Sequence, residues 1–480
     1  MDSAAVRPQQ NSLATDKVSK LILKFAIPAI IGQLVGALYN IVDQIFIGQA
    51  VGMLGNAATN VAFPLNTITM ASALLIGIGT SSNFNLAMGA GNRERAAKIA
   101  ANGIAWMAIV GVLIGAFALA FLEPLLWLFG ATEQVFPYAL TYTGITSLGL
   151  PFLVFSNASS KLIRADGSPT WSMLCTLSGA ILNCFLDPLF IFTFDMGIAG
   201  GAWATVIGQI VSALVALWYF KFKFKAVELK FSDMLPKFDL LKAIAALGAA
   251  SGINQIAMTF VQIMMNNTLT YYGALSQYGS DIPLACVGVI SKVSIVVFSV
   301  IIGISQGSQP ILGFNYGAKN YARVKEAYFV AIRAAIAISC VAFVAFQLFP
   351  RQIVAIFGQG SEEYFRFAER YMRIYMAMIF ISCIQPITSS FFTSVGKAYL
   401  GIFMSLTRQV IFLIPLIYIF PQFLGIDGVM YAGPIADTAA VTLAILFMRR
   451  EIKQMDALAI AVTEDPSLVP EMKPIIEIDG

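Results

Sequence analysis

The sequence predicts an all-α polytopic membrane protein, with twelve transmembrane helices in two six-helix lobes related by a parallel pseudo-two-fold repeat. Three observations lead there. Hydrophobic residues make up 58% of the 480 residues and charged residues 12%, with mean hydropathy +0.78, whereas soluble domains carry about 25% charged residues. The apolar residues gather into runs of about 20 or more, each long enough to cross ~30 Å of hydrocarbon. Short motifs also recur at a nearly constant offset.

The elements follow in chain order. Residues 1–20 are polar and lack the layout of a signal peptide; they form a cytoplasmic N-terminal segment. The first lobe, 21–220, holds spans at about 21–47, 57–88, 99–122, 135–160, 170–194 and 198–220. A Lys-rich connector, 221–239, leads to the second lobe, 240–448, with spans at about 240–272, 285–316, 326–348, 366–392, 398–420 and 426–448. The tail, 449–480, is polar and Pro-containing, and is expected to be disordered beyond about 451. The second and eighth spans are each about 32 residues, or ~48 Å of helix, so they must tilt, bend or project.

Loop charge orients the bundle. Arg93, Arg95 and Lys98 follow the second span, Lys161 and Arg164 the fourth, five lysines the sixth, and Lys319, Arg323 and Lys325 the eighth. Lys397 follows the tenth, and Arg449 and Arg450 the twelfth. Of the opposite loops, only the one after the ninth span contains Lys or Arg. Both termini are expected on the cytoplasmic side of a plasma membrane, the bacterial inner membrane.

Composition excludes several functions. The chain has no histidine, which removes the commonest metal ligand and the usual proton-relay residue. The five cysteines lie in apolar runs without zinc or disulfide spacing. A net charge of +4 carries no nucleic-acid signal, and Lys221-Phe-Lys-Phe-Lys225 reads as an interfacial anchor. No cofactor is implied.

The repeat rests on three matches. Met88-Gly-Ala-Gly-Asn92 recurs as Tyr316-Gly-Ala-Lys-Asn320, and Gly197-Ile-Ala-Gly200 as Gly425-Ile-Asp-Gly428, both at 228. Ala165-Asp-Gly167 recurs as Ser394-Val-Gly396 at 229. Each falls at the same place in a six-helix cycle; because six is even, the halves are parallel, and the interface between such halves is where substrates bind.

Two carboxylates sit deep in apolar spans, Asp43 in the first and Asp187 in the fifth, where ionised groups are costly and usually functional. Asn183 lies four residues before Asp187, on the same helix face. Pro188 removes a helical donor and frees the carbonyl of Cys184. Counted from the outer loops, Asp43, Asp187 and Thr205 all lie about 7–12 Å below the surface. The aligned second-lobe positions are Met265 and an apolar stretch around Pro415. This oxygen cluster suits a proton or a small hard cation such as Na⁺.

These features resemble the multidrug and toxic compound extrusion (MATE) family of antiporters. The carriers are Pro28 with Asp43, the Gly-Ala-Gly-Asn run, Arg164-Ala-Asp-Gly167, Asn183-x-x-x-Asp187-Pro188, Gly197-Ile-Ala-Gly-Gly-Ala-Trp-Ala-Thr205 and Gly433-Pro-Ile-Ala-Asp437. The resemblance covers about 20–450. It implies a V-shaped central cavity and export of amphipathic organic molecules coupled to H⁺ or Na⁺, with the ion bound at Asp43, Asn183, Asp187 and Thr205. It implies a bend at Pro28, and a polar network or substrate pocket including Gln33, Asn40 and Asn157. Acidic residues that some branches carry in the seventh or tenth span are missing, apart from Glu369 near the outer end of the tenth. A monomer is expected.

Simpler roles exist: Asp43 could cap a helix near the interface, and Pro188 could be a packing kink. Lys292 and Arg408 read as buried cations, with Asp437 available as a partner for one of them. A flippase for lipid-linked oligosaccharides would favour a strongly cationic cavity and often fourteen spans. A polytopic membrane enzyme would need a dense polar motif. Neither pattern is present in the sequence.

Overall fold

The computed structural model describes residues 12–279, 281–357 and 361–464. Among them no strand occurs, and eleven helices are long and apolar enough to cross a membrane, or twelve if a bent pair counts as one span. In chain order these are α1 (Val18–Val51), α2 (Met53–Gly89), α3 (Arg93–Ala120), α4 (Phe136–Ala165), α5 (Pro169–Pro188) and α6 (Gly197–Phe222). The second set is α7 (Phe238–Ala274), α8 (Asp281–Gly317), α9 (Tyr321–Leu348), α10 (Glu362–Tyr375 with Ile379–Ser394), α11 (Ala398–Leu424) and α12 (Ile426–Glu464).

Three expectations change. The loop expected over 48–56 shrinks to Gly52, whose φ of +73° turns α1 directly into α2; only glycine takes that conformation at little cost. Span 10 is bent by 45° at a break between Tyr375 and Ile379. The tail is helical rather than disordered as far as Glu464, because it is tied down: Lys397 Nζ donates to Glu451 at 2.6 Å and to Gln454 at 3.0 Å, Lys325 pairs with Asp456, and Met455 is fully buried. The rest of the tail, 465–480, and residues 1–11 lie outside the described residues.

The repeated Gly-Ala-x-Asn motif forms the same turn twice. Asn92 accepts from the Arg95 N–H at 2.9 Å and Asn320 from the Arg323 N–H at 3.3 Å, each capping the next helix. Gly91 (φ +77°) and Lys319 (φ +57°) occupy the left-handed position between helices.

The lobes exchange the starts of their first helices at the end of the bundle that carries these basic turns. Leu21, Ile22 and Phe25 of α1 pack among α8 and α9, with Ile304, Leu312 and Val324. Leu240 and Ile244 of α7 pack among α2 and α3, with Ile76, Phe84 and Ile99. Small residues make the crossing possible. A Cβ on Gly307 of α8 would lie 2.6 Å from the Ala26 Cα of α1, and one on Gly303 would lie 2.7 Å from the Ile30 Cα. On the other side Gly79 of α2 abuts Ile244, and Gly248 of α7 abuts the Leu75 carbonyl. Gly89 and Gly317 seat the ends of α2 and α8 on one another. All these approaches fall in the basic-end halves of their helices. Arg164 of α4 adds a polar bridge, donating to Gln306 of α8 at 3.0 Å.

Candidate functional site

The deep oxygen cluster forms where α1, α5 and α6 meet. Glycines bring α5 and α6 together: a Cβ on Gly179 would lie 2.4 Å from the Gly208 carbonyl oxygen, and one on Gly208 would fall 2.7 Å from that of Gly179. That close packing presents Asn183 and Asp187 of α5 to Thr205 of α6. Asp187 is fully buried, Asn183 is 1% exposed, Asp43 7% and Thr205 8%. After Pro188 the chain makes one wide π turn, Leu189–Thr193, of the kind that often marks functional sites in helices.

Packing brings all four predicted residues together. The Asp43 and Asp187 carboxyls lie against one another, where two carboxylates cannot easily both stay ionised. With its amide oriented to suit both neighbours, Asn183 donates to Asp187 Oδ2 at 2.7 Å and accepts from the Thr205 N–H at 3.0 Å. The Tyr39 hydroxyl lies beside Thr205. Asp43 Oδ1 is buried with no partner. A buried acceptor is rarely left unpaired. The donor set is all oxygen, so it fits either a proton on the carboxyl pair or a small hard cation held by Asp43, Asp187 and the Asn183 and Thr205 oxygens.

Tyr39 and Tyr142 line the same cluster, and sequence reading missed both. Tyr39 lies four residues before Asp43, on its face of α1, which was the available signal; Tyr142 comes from α4, and only tertiary packing brings it here. The other predicted polar residues bond elsewhere or stand apart from the cluster. Asn40 is exposed and donates to its own Gly36 carbonyl at 2.8 Å. Asn157 is half-buried and donates to the Leu153 carbonyl at 3.2 Å. Gln33 is half-buried on α1. Pro28 lies between Ala26 and Ile30, the two residues of α1 that touch Gly307 and Gly303, so the helix lacks a backbone bond at the crossing point.

The second lobe has a polar site of its own. A cavity of about 380 Å³ opens among α7, α8, α10, α11 and α12, with Phe63 of α2 on its rim. In its wall Arg408 Nε donates to Asp437 at 2.5 Å; the side chains are 16% and 6% exposed. The sequence expectation that Arg408 is buried and Asp437 a candidate partner matches this pair, whereas Lys292 is exposed rather than buried. The repeat offset of 228 places Asp437 at the position of Gln209 and Gly433 at that of Thr205.

Comparison with known proteins gives one family. The MatE family model matches residues 28–189 and 250–419. The multidrug export protein MepA of Staphylococcus aureus (strain MRSA252) is 24% identical over 443 residues, covering 90% of this chain and 93% of MepA. MepA of Staphylococcus saprophyticus is 24% identical with the same coverage. The chain is similar to a multidrug resistance MATE family transporter of the MOP superfamily solved in an outward-facing conformation. That match has TM-score 0.87 and 25% identity, covering 94% of this chain and 99% of that one. It is also similar to a MOP superfamily transporter from Pyrococcus furiosus, with TM-score 0.85 and 25% identity over 93% and 98% of the two chains.

Proposed function

The chain belongs to the MatE family of membrane transporters, and from that premise we propose that it is an antiporter exporting amphipathic organic molecules in exchange for H⁺ or Na⁺. It is a multi-pass membrane transporter rather than an enzyme. The proposal sets it in the plasma membrane as a monomer with the basic end in the cytoplasm, as the loop charges require. The cargo reading draws on the relatives named as multidrug export proteins.

The observation that carries the coupling reading is the buried carboxyl pair Asp43–Asp187, set side by side with one acceptor that has no hydrogen-bond partner. Two carboxylates in contact cannot both stay ionised, so the pair takes up a proton or a cation. Inter-lobe glycine contacts close the basic end, so the ion reaches the pair from the opposite side. Neutralising it removes the repulsion between α1 and α5 and lets α1 repack about Pro28. The lobes then rock, the Arg164–Gln306 bridge and the glycine contacts part, and the ion leaves to the cytoplasm. One charge crossing 100 mV supplies about 2.3 kcal/mol and one pH unit about 1.4. Together they sustain a cargo gradient of several hundred-fold at one-to-one exchange.

The test is counterflow and efflux in proteoliposomes with Na⁺ and pH gradients imposed separately. Asp187→Asn abolishes gradient-driven efflux while the purified variant stays monodisperse. Undiminished efflux would sink the assignment.

A further inference from the structure

We propose that the cavity in the second lobe is a binding site for zwitterionic amphipathic molecules, read out by the buried Arg408–Asp437 pair together with Gln409. Three observations converge on it. The cavity, about 380 Å³, falls in the range of small-molecule sites. Its walls are largely apolar and soft, with Met258, Met265 and Met376 beside the stacked rings of Tyr371 and Tyr375, whose centroids are 4.9 Å apart. Amides and hydroxyls of α7, α8 and α10 also line it, but its charged groups, Arg408 and Asp437, sit together on α11 and α12 beside Gln409. Gln409 lines the cavity and is 8% exposed, and its Oε1 is buried without a hydrogen-bond partner. A buried unpaired acceptor is costly, and because its residue lines the cavity a turn of the side chain would bring it to a ligand donor there.

The ion pair decides the class of ligand. Arg408 gives Nε to Asp437, lies beside Tyr375 and is 6.0 Å from the Phe298 ring centroid. Gly433, where the first lobe has Thr205, makes room for the Tyr375 ring: a Cβ there would fall 2.6 Å from Tyr375 Cε2. The geometry therefore fixes the guanidinium, while its Nη groups keep donor capacity for a carboxylate. A buried ion pair is seldom retained for stability, because apolar residues of the same volume do as well. In a membrane such a pair usually has a use. The wall is charge-neutral overall, so a monocation or monoanion would bring an uncompensated charge into a low-dielectric space. A zwitterion adds no net charge: its carboxylate meets Arg408, and its ammonium meets Asp437 and the unpaired oxygen of Gln409.

The inference rests on the transporter reading only in calling the occupant cargo. Binding is measured without any gradient, so failure of coupling at Asp43 and Asp187 would leave the comparison intact. Three fluorescent probes share a dansyl group and a similar tether: ε-dansyl-lysine (zwitterion), dansylcadaverine (monocation) and 6-(dansylamino)hexanoate (monoanion). Titrated against the purified full chain in detergent, ε-dansyl-lysine binds at least tenfold tighter than either relative. Gln409→Leu weakens it about tenfold, the size of one buried hydrogen bond. The double variant R408M/D437L removes the pair without stranding a charge, and brings the three probes level. Equal affinities in the wild type, unchanged binding by Gln409→Leu, or a preference surviving in the double variant overturns the assignment. If the double variant is not monodisperse, the wild-type comparison and Gln409→Leu decide alone.

Discussion

Replacing Gly307 by alanine tests whether glycine contacts hold the basic end shut. The new Cβ would stand 2.6 Å from the Ala26 Cα and 2.7 Å from its nitrogen. Ordinary contact begins near 3.4 Å, so α1 and α8 must separate by about 0.8 Å, and the obstructing atoms are backbone, which no rotamer change can move aside. Overpacking of this kind costs about 1–3 kcal/mol. Borne by the closed arrangement alone, that penalty shifts the balance toward a basic-end-open state by about 5- to 150-fold. The assay is double electron–electron resonance between spin labels at Arg93→Cys and Ala322→Cys, exposed positions on α3 and α9, with the five native cysteines replaced. Gly307→Ala adds a longer-distance population in reconstituted membranes, and Gly303→Ala, one turn away on the same face, deepens it. Superimposable distance distributions in parent and variant, with unchanged melting temperature, would show that the seam accommodates a methyl group, and the closure argument would fail.

Other consequences are local. Gln306→Leu leaves an Arg164 donor buried without its acceptor and lowers thermal stability by about 1–3 kcal/mol; a melting temperature equal to wild type would show the bridge to be idle. Asp166, just beyond α4, accepts from the Tyr219 hydroxyl at 2.5 Å and from the Ala226 N–H at 2.9 Å, yet burial pushes its carboxyl up to about 6 from 3.8. The folded state thus binds this proton more tightly than the unfolded state. Its contribution to stability is greatest below pH 3.8, falls by about 3 kcal/mol as pH rises to 6, and is flat above. Asp166→Asn removes that slope, as unfolding followed at several pH values between 4 and 7 will reveal. Asn92→Ala and Asn320→Ala each cost about 1 kcal/mol through loss of the N-cap. Lys319→Gly gains a similar amount by matching Gly91 in the left-handed position; urea titration of each variant checks the signs.

Hydropathy and loop charge were enough to place the helices, because in hydrocarbon every backbone group must be satisfied within its own segment. The internal repeat was legible for a related reason: its best-preserved motif, Gly-Ala-x-Asn, makes a turn whose left-handed residue and N-cap are chemically narrow. That motif is structural, and it draws attention away from the site. The four cluster residues could be found by counting depth, since each helix carries one or two misplaced oxygens. Tyr142 was out of reach because it arrives from another helix. The crossing of α1 and α7 into opposite lobes was equally hidden, since it depends on glycines, whose meaning comes from what they touch. The helical end of α12 depends on Lys397 and Lys325 finding partners far along the chain.

The two lobes share backbone devices and differ in charge. Each has a wide π turn in its fifth helix, at Leu189–Thr193 and Thr407–Leu413, and each lends the start of its first helix to the other. In the first lobe Thr205 and two carboxyls come together, and on the proposed reading the net charge of this site changes when an ion binds. In the second, Gly433 stands where Thr205 would be and makes room for Tyr375, and Asp437 is matched by Arg408. A site that gains charge on binding responds to a proton or voltage gradient, whereas a neutral pair is nearly indifferent to it. On the proposed reading the gradient therefore acts through α1 and α5, and the second lobe contributes selectivity without competing for the ion. An experiment separates the two: R408M/D437L should change which probes bind and leave the pH or Na⁺ dependence of efflux in place, while Asp187→Asn should do the reverse. If both variants altered ion dependence alike, the division of labour between the lobes would be wrong.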